Sequence, residues 1–312
     1  MQKPMPPQMQ APDDFDPRPG VAEALSPLVR RIVAPNPSPM TYRGTNTYLV
    51  GQSEIAVIDP GPRDDAHMAA ILAALAPGQR ISHIFVTHAH LDHSPLARPL
   101  SEATGAPVLA YGDAFAGRSA AMQTLAAAGE IGGGEGVDAA FVPDIELADG
   151  EEVSGPDWTL EALWTPGHYG NHLSFQLGEE LFSGDLVMGW ASSLVSPPDG
   201  DLTDFMASCE RLAARPARRF HPGHGAPVDA PAERLAFLLS HRRAREGAIL
   251  DALAAGPATA AALAARIYTD TDPRLLPAAT RNVLAHLIDL TGRSRVVPAG
   301  DLRADSAFTR TS

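Results

Sequence analysis

This sequence is poor in cysteine, in long apolar runs and in positive charge. Cys209 is the only cysteine in 312 residues, which excludes an internal disulfide bond and favours a reducing compartment, so we expect a cytoplasmic protein. No apolar run reaches the roughly 20 residues that a membrane-spanning helix needs, and we expect no membrane segment. The formal net charge of −13 argues against a protein whose whole surface binds nucleic acid.

The two ends of the chain are predicted to lie outside the folded domains. Residues 1–20 are rich in proline and polar residues and lack the apolar core of a signal peptide, so a flexible tail is expected there. Residues 301–312 are predicted to form a second tail. The chain as a whole has 45% hydrophobic and 20% charged residues, as is usual for a globular protein.

Two regions of different character lie between these tails. Runs such as "EIAVIDPGP" and "ISHIFVT" read as strands, and "DDAHMAAILAALA" between them has helical spacing. This mixture predicts an α/β domain over residues 21–235. The next stretch contains three helical patterns and a short β-ribbon, "RSRVVPAG", which resemble a winged-helix domain over residues 236–300.

The charge distribution also separates these regions. Residues 241–298 contain eight arginines, no lysine and five acidic residues. Their local balance is +3, which leaves −16 on the remainder of the chain. Such an asymmetry is typical of two units that meet different surroundings.

The segment "VTHAHLDHSP" contains four metal-binding side chains within six positions. The preceding apolar run predicts a strand that ends at Thr87, so His88, His90, Asp92 and His93 lie on the loop that follows it. Imidazole and carboxylate are the usual ligands of zinc and its neighbours. Four such groups on one loop exceed the roughly three protein ligands of a single catalytic zinc. The surplus predicts two metal ions and further ligands downstream.

Three later loops supply suitable side chains. His168 lies in "WTPGHYGNH", Asp185 in "LFSGDLV" and His224 in "FHPGHGAPV". Each follows a glycine, which permits close backbone approach and unusual dihedral angles. We therefore predict that these three residues complete the metal centre.

The order of these motifs resembles that of the metallo-β-lactamase superfamily, H-x-H-x-D-H followed by separate His, Asp and His motifs. The resemblance covers about residues 30–228 and implies a catalytic αββα sandwich followed by the winged-helix-like domain. It implies seven metal ligands: His88, His90 and His168 for one ion, Asp92, His93 and His224 for the other, and Asp185 for both. Asp59, in "VIDPGP", would support the site without binding metal. Asp185, Asp92 and Asp59 are the predicted catalytic carboxylates.

One branch of the superfamily is especially similar. The segments "NPSPMTYRGTNTYLVG", "TPGHYGNH", "PGHG" and "LLSHRRARE" resemble the β-lactamase-like protein 2 group, whose characterised members include a single-strand-preferring endoribonuclease. That group usually has two glycines where this chain has Pro95 and Leu96, so we expect a different pocket wall beside the metal loop.

The resemblance implies a hydrolase that uses a hydroxide held between two metal ions. Zn²⁺ is the first choice, with Mn²⁺ or Fe as alternatives. Single-stranded RNA is the first substrate hypothesis, and a small-molecule ester or thioester, as in glyoxalase II-like relatives, is the alternative. A rival hypothesis is a winged-helix nucleic-acid-binding protein on a metal-fold scaffold. A homodimer is a further possibility that the helical region allows.

Several other basic residues are predicted to be structural. His172 is expected to support the site rather than bind metal. Arg242, Arg243 and Arg245 are predicted to lie on a solvated helix face with their stems packed. The histidines predicted to have structural or surface roles are His67, His83, His221, His241 and His286.

Overall fold

The structure is a computed structural model that describes residues 15–311. The strands of the first sheet are β1 (Glu23–Ala24), β2 (Val29–Val33), β3 (Asn46–Val50), β4 (Glu54–Ile58), β5 (Arg80–Phe85), β6 (Val108–Ala110) and β7 (Ile145–Glu146). Those of the second sheet are β8 (Glu152–Ser154), β9 (Thr159–Trp164), β10 (Leu173–Leu177), β11 (Glu180–Gly184) and β12 (Arg219–Pro222). The first sheet follows the chain order, and the second runs β12-β11-β10-β9-β8.

Seven α-helices accompany the sheets within residues 15–311. They are α1 (Asp65–Ala73), α2 (Ala97–Thr104), α3 (Ala120–Ala128), α4 (Leu202–Ala213), α5 (Pro231–Leu253), α6 (Ala260–Ile267) and α7 (Leu276–Gly292). The last three strands are β13 (Ala258–Thr259), β14 (Val296–Pro298) and β15 (Ala307–Arg310). These strands form a small third sheet in the order β13-β15-β14.

Side chains on the two faces of each large sheet enter different cores. In β4, Ile55 and Val57 pack under α1 and α2, whereas Ala56 and Ile58 pack between the two sheets. This alternation follows from the two-residue period of a strand. Helices α4 and α5 cover the outer face of the second sheet. The layers are therefore helix, sheet, sheet and helix, which confirms the predicted αββα sandwich.

The chain directions bring several strand ends to one edge of the sandwich. Strands β4, β5 and β6 are parallel, and β11 is parallel to β12. Because β9 and β11 are both antiparallel to β10, they also run in the same direction. The loops after β5, β9, β11 and β12 carry the predicted metal ligands. This common edge, where the side chains that can donate electron pairs to a metal ion lie, is called the donor edge below.

The C-terminal part has the elements of a winged helix, but its limits differ from the predicted ones. Helix α5 continues across the predicted boundary at residue 235, so one helix belongs to both regions. The predicted tail at 301–312 is wrong, because β15 is the central strand of the third sheet and Phe308 is fully buried.

The predicted N-terminal tail is only partly described. Residues 1–14 of that tail lie outside the described residues. From residue 15 onward the chain packs on the fold: Phe15 is buried and stacks on Tyr42, with ring centroids 5.9 Å apart. Within residues 15–311, no helix combines the length and the apolar character needed to cross a membrane. The cytoplasmic location and the homodimer stay predictions.

Candidate metal centre

Three histidines turn their ring nitrogens toward one another at the donor edge. His90 Nδ1 lies 3.0 Å from His88 Nε2 and 3.3 Å from His168 Nε2. The first two follow β5, and His168 follows β9 on the opposite sheet. All three nitrogens lie close enough to share one metal ion. The structure thus brings together the set predicted for the first ion.

The second set lies beside the first. His224 Nε2 is 3.3 Å from His93 Nε2 and 3.1 Å from Asp92 Oδ2. These three residues also form a group that can hold a metal ion. Asp185 lies between the two sets, with Oδ2 3.3 Å from His224 Nε2 and 3.8 Å from His168 Nε2. All seven predicted ligands therefore converge at the donor edge.

Asp59 holds the rear of the cluster in place. It directly follows β4 in a left-handed conformation, φ 51°, which is uncommon for a residue other than glycine. Its Oδ1 accepts the backbone N–H of Thr87 at 2.7 Å, and its Oδ2 accepts the Thr87 hydroxyl at 2.8 Å. The same Oδ2 is 2.9 Å from His93 Nδ1. Because a buried carboxylate accepts here, Nδ1 of His93 donates and its Nε2 is left to face the cluster.

Three more histidines are oriented in the same way through their Nδ1 atoms. His88 donates to Thr87 Oγ1 at 2.9 Å, since that hydroxyl already donates to Asp59. His168 donates to the carbonyl oxygen of Leu194 at 2.6 Å. His224 donates to the carbonyl oxygen of Gly44 at 3.2 Å. Each of these rings therefore directs its Nε2 at the cluster, and that nitrogen can bind a metal ion when it carries no proton.

The arrangement fits bound cations. His88 Nε2 and His168 Nε2 both direct a lone pair at His90 Nδ1. A proton on His90 Nδ1 can form a good hydrogen bond with only one of these two nitrogens. Asp185 Oδ1 is buried and has no hydrogen-bond partner within residues 15–311. A side chain at Gly223 would bring its Cβ within 2.3 Å of that oxygen. Converging lone pairs and an unpartnered carboxylate oxygen are stabilised by a cation among them.

The electrostatics divide the cluster into neutral and charged histidines. Burial lowers the pKa of His90 to about 3 and holds that of His88 well below its ordinary value. Burial also opposes charge on His224, but the carboxylates of Asp185 and Asp92 together outweigh it and raise the pKa of His224 to about 9. A metal ligand must be deprotonated, so a cation bound at His224 displaces a proton.

His172 lies behind the ligands, where a supporting role was expected. It is fully buried, and its Nε2 accepts the backbone N–H of Asp185 at 3.2 Å. Its Nδ1 lies 3.0 Å from Thr165 Oγ1. A Cβ on Gly184 would come within 2.5 Å of His172 Nε2, so the glycine before Asp185 is needed for this contact. His172 thereby fixes the start of the Asp185 loop.

The arginine prediction for α5 is wrong at two of its three positions. Arg242 and Arg245 are each only 3% exposed, because α5 is covered at these positions. Their guanidinium groups lie over the rings of Phe205 and Tyr268, at 4.9 and 4.0 Å from the centroids. Arg243 is exposed as predicted and pairs with Glu210. The burial of Arg242 is not evident from the sequence, because a run of arginines on a helix resembles a solvated face.

Helix α7 has the position of the recognition helix in a helix-turn-helix pair. From Leu276 to Leu290, Pro277 is its only exposed residue. Arg281 and Asn282 are hydrogen-bonded to loops of the sandwich. A helix without a free face cannot enter a DNA groove, so the rival nucleic-acid-binding hypothesis has no exposed recognition helix to support it.

Comparison with known families agrees with this architecture. A family model described as the metallo-beta-lactamase superfamily matches residues 40–224. A second model, the beta-lactamase associated winged helix domain, matches residues 259–305.

Two solved structures are similar over nearly the whole chain. A metallo-beta-lactamase family protein from Thermus thermophilus is 28% identical with a TM-score of 0.73, covering 92% of this chain and 100% of that one. A beta-lactamase domain protein from Burkholderia ambifaria is 24% identical with a TM-score of 0.79, covering 97% of each chain.

Three curated relatives have similar sequences. A Beta-lactamase-like protein 2 homolog from Caenorhabditis elegans is 31% identical over 240 residues, 74% of this chain and 72% of the relative. The Drosophila melanogaster homolog of the same name is 30% identical and covers 89% of this chain and 93% of its own length. An Atrochrysone carboxyl ACP thioesterase from Aspergillus fumigatus is 30% identical, covering 74% of this chain and 66% of that protein.

Proposed function

This chain belongs to the metallo-beta-lactamase superfamily and is a hydrolase of that fold; we propose that it hydrolyses small-molecule thioesters or esters with two zinc ions. Histidine and carboxylate oxygen are zinc ligands, and two ligand sets that share Asp185 suit a pair of ions. The observation that carries the choice of substrate is the character of the rim around the donor edge.

The rim is defined by Leu91, Val137, Trp190 and Arg43. Leu91 lies between ligands His90 and Asp92 and is 54% exposed. Val137 pairs with His90 in an isolated β-bridge. Trp190 packs against the backbone next to His224, where a Cβ on Gly225 would lie 2.7 Å from Trp190 Cδ1. Arg43 precedes Gly44, whose carbonyl accepts from His224.

Three of these four rim side chains are apolar, and Arg43 is the one cation. A polyanion such as RNA is held through several phosphate contacts, each made by a cationic or polar group. An acyl chain needs apolar contact, which the exposed Leu91 and the half-buried Trp190 offer, whereas Val137 packs against the core. The rim therefore favours an acyl substrate over RNA, the first substrate hypothesis from the sequence. The thioesterase among the similar proteins supports the same choice.

Bound zinc ions would supply the Lewis acidity that activates a water and polarises the scissile carbonyl. The residues of this chain hold and orient the reacting groups. Asp185 Oδ1, which has no partner among residues 15–311, can accept a hydrogen bond from the attacking water. Asp92 Oδ2 contributes negative charge beside His93 and His224. Asp59 acts through His93 and Thr87, whose positions it holds.

The test compares substrates on one zinc-loaded preparation. Acyl-coenzyme A and acyl-glutathione thioesters of increasing chain length, simple esters and labelled single-stranded RNA are offered to the wild type. We expect thioester or ester turnover that is abolished in a His88→Ala/Asp185→Ala variant. The substrate assignment would be contradicted if the wild type cleaved RNA but no thioester or ester, and if the double variant had lost this RNA cleavage.

A rim variant gives a finer test. Leu91→Ser removes apolar contact without touching a ligand atom, so KM for a long acyl chain should rise about threefold to tenfold, with kcat little changed. Val297→Ser is the matched control, because Val297 is 49% exposed on β14, in the third sheet. Equal KM values for wild type and Leu91→Ser across chain lengths would exclude the rim as the acyl-binding surface.

A further inference from the structure

The hydrogen bond that orients His168 depends on a loop rather than on regular structure. His168 Nδ1 donates to the carbonyl oxygen of Leu194. Residues 187–198 lie outside the helices and strands of the fold. Two hydrogen bonds tie this loop to the residues before it, from Ser193 Oγ to the carbonyl oxygen of Leu186 and from Ser183 Oγ to that of Val187. The orientation of a carbonyl group in such a loop is fixed only if hydrogen bonds hold the peptide groups on both sides of it.

Both neighbours of Leu194 are held by side chains from the helical region. The backbone N–H of Val195 donates to Asn282 Oδ1 on α7 at 3.0 Å. Arg242 on α5 donates through Nη1 to the same oxygen at 2.9 Å. Its Nη2 donates to the carbonyl oxygen of Ser193. One amide and one guanidinium thereby bracket the Leu194 peptide.

Further contacts tie the rest of the loop to the same two helices. Arg234, on α5, donates to the carbonyl oxygens of Met188 and Ala191, both at 2.6 Å. Arg281, on α7, donates to Ser196 Oγ at 2.8 Å and to the carbonyl oxygen of Pro197. These contacts hold the loop at its flanks, whereas Asn282 and Arg242 hold it at Leu194.

Burial of Arg242 indicates that its contacts matter. Taking a guanidinium out of water is costly unless its N–H groups find acceptors. Here the acceptors are a loop carbonyl and the amide oxygen that also receives Val195. The ring of Phe205 covers one face of the group. Arg242 and Asn282 are thus joined by a hydrogen bond and both contact the loop.

We propose that Asn282, supported by Arg242, is a positioning residue for the metal centre: it fixes the Leu194 carbonyl and so the ring of His168. This inference rests on the proposed metal site and gives the winged-helix region a role inside the enzyme. The region supports the loop that holds His168, and it does so through α7, the helix that has the position of the recognition helix. Within residues 15–311, His168 is the one predicted ligand whose ring nitrogen is hydrogen-bonded by this loop.

The test is Asn282→Leu, which has a similar size and lacks the acceptor. Zn²⁺ affinity is measured by competition with a chromogenic chelator, and the visible spectrum is recorded for the Co²⁺-loaded protein. We expect zinc affinity to fall about tenfold, as for other residues that orient ligands, with a changed cobalt spectrum and a lower kcat at unchanged KM. Asn282→Asp keeps an acceptor for both donors and should restore affinity and spectrum.

Thr291→Val is the matched control, because it removes a hydrogen bond within α7, from Thr291 Oγ1 to the carbonyl of Leu287, away from the loop. If Asn282→Leu fails to fold, the milder Asn282→Ser, too short to reach Val195, replaces it. Wild-type zinc affinity and cobalt spectrum in the folded acceptor-free variant would overturn the inference. Absence of zinc binding by the wild type would instead overturn the proposed function.

Discussion

Two pairs of a buried histidine and a nearby carboxylate lie on or just beyond strands β11 and β12. At the donor edge, His224 Nε2 lies 3.3 Å from Asp185 Oδ2. Glu180 begins β11 at the opposite end, and its Oε2 lies 2.6 Å from Nε2 of His221, which lies in β12 opposite Phe182. The second pair is closer, yet among residues 15–311 only the residues of the first pair belong to groups of converging ligands. A short histidine–carboxylate contact therefore does not by itself identify a site.

The difference lies in what surrounds each pair. His221 stacks on Phe182 and lies tilted against Tyr48, whereas His224 faces three other metal-binding side chains, Asp92, His93 and Asp185. A cavity of about 780 Å³ opens beside Glu180, between the β10–β11 turn and the start of β12. No comparable ligand group adjoins it within residues 15–311. The cavity thus lies at the start of β11 and β12, whereas the metal-binding side chains lie beyond their ends. We assign the site by the convergence of these ligands.

The largest expected effect is the loss of activity on changing Asp185. Asp185→Asn replaces the carboxylate shared by both ligand sets with an amide, so we expect thioester turnover to fall at least about a thousandfold and bound zinc to fall below two per chain. Glu180→Gln makes the same chemical change at the opposite end of β11 and should alter turnover less than about twofold. Equal losses in the two variants would remove the distinction between the ends.

A smaller effect is expected from Asp59, which touches no predicted metal position. Its Oδ2 accepts from both Thr87 and His93. Asp59→Asn leaves one acceptor oxygen for three donors, the Thr87 N–H, the Thr87 hydroxyl and His93 Nδ1, so the hydrogen bonds that fix His93 are weakened. We expect zinc affinity to fall between about tenfold and a hundredfold, measured by chelator competition. Unchanged zinc affinity in a folded Asp59→Asn protein would show that His93 is oriented without it.

Much of the site was predictable because its ligands are side chains at strand ends. His88, His90, Asp92 and His93 are recognisable from spacing alone, and glycines mark the later loops. The sandwich follows from alternating apolar strands with helices between them. Periodicity could not show that β15 enters a sheet, since a four-residue strand near the end of a chain carries little pattern.

The supporting contacts were not predictable. Gly44 and Leu194 act through backbone carbonyls, which leave no trace in residue type. Arg242 and Asn282 act across the boundary between the two regions, and their roles depend on how α5 and α7 pack on one loop. Sequence patterns report the local period of an element and not its tertiary neighbours, so such residues become visible only in the fold.

The smallest effect concerns the His221–Glu180 pair and the dependence of its contribution to stability on pH. Burial lowers the pKa of His221, and the hydrogen bond from His221 lowers that of Glu180. Both groups bind a proton more readily in the unfolded chain than in the folded protein. Their lowered pKa values therefore contribute to the free energy of unfolding at neutral pH, and this contribution decreases on acidification. For His221 the loss begins as pH falls through the unfolded value of about 6.5. His221→Gln should therefore flatten the fall in the free energy of unfolding between pH 7 and 5, by at most the one-proton slope of about 1.4 kcal/mol per pH unit. Urea unfolding of the metal-free protein at several pH values measures this. Zinc affinity should be unchanged, and a variant that loses zinc instead would place His221 in the metal site and break the contrast between the two ends.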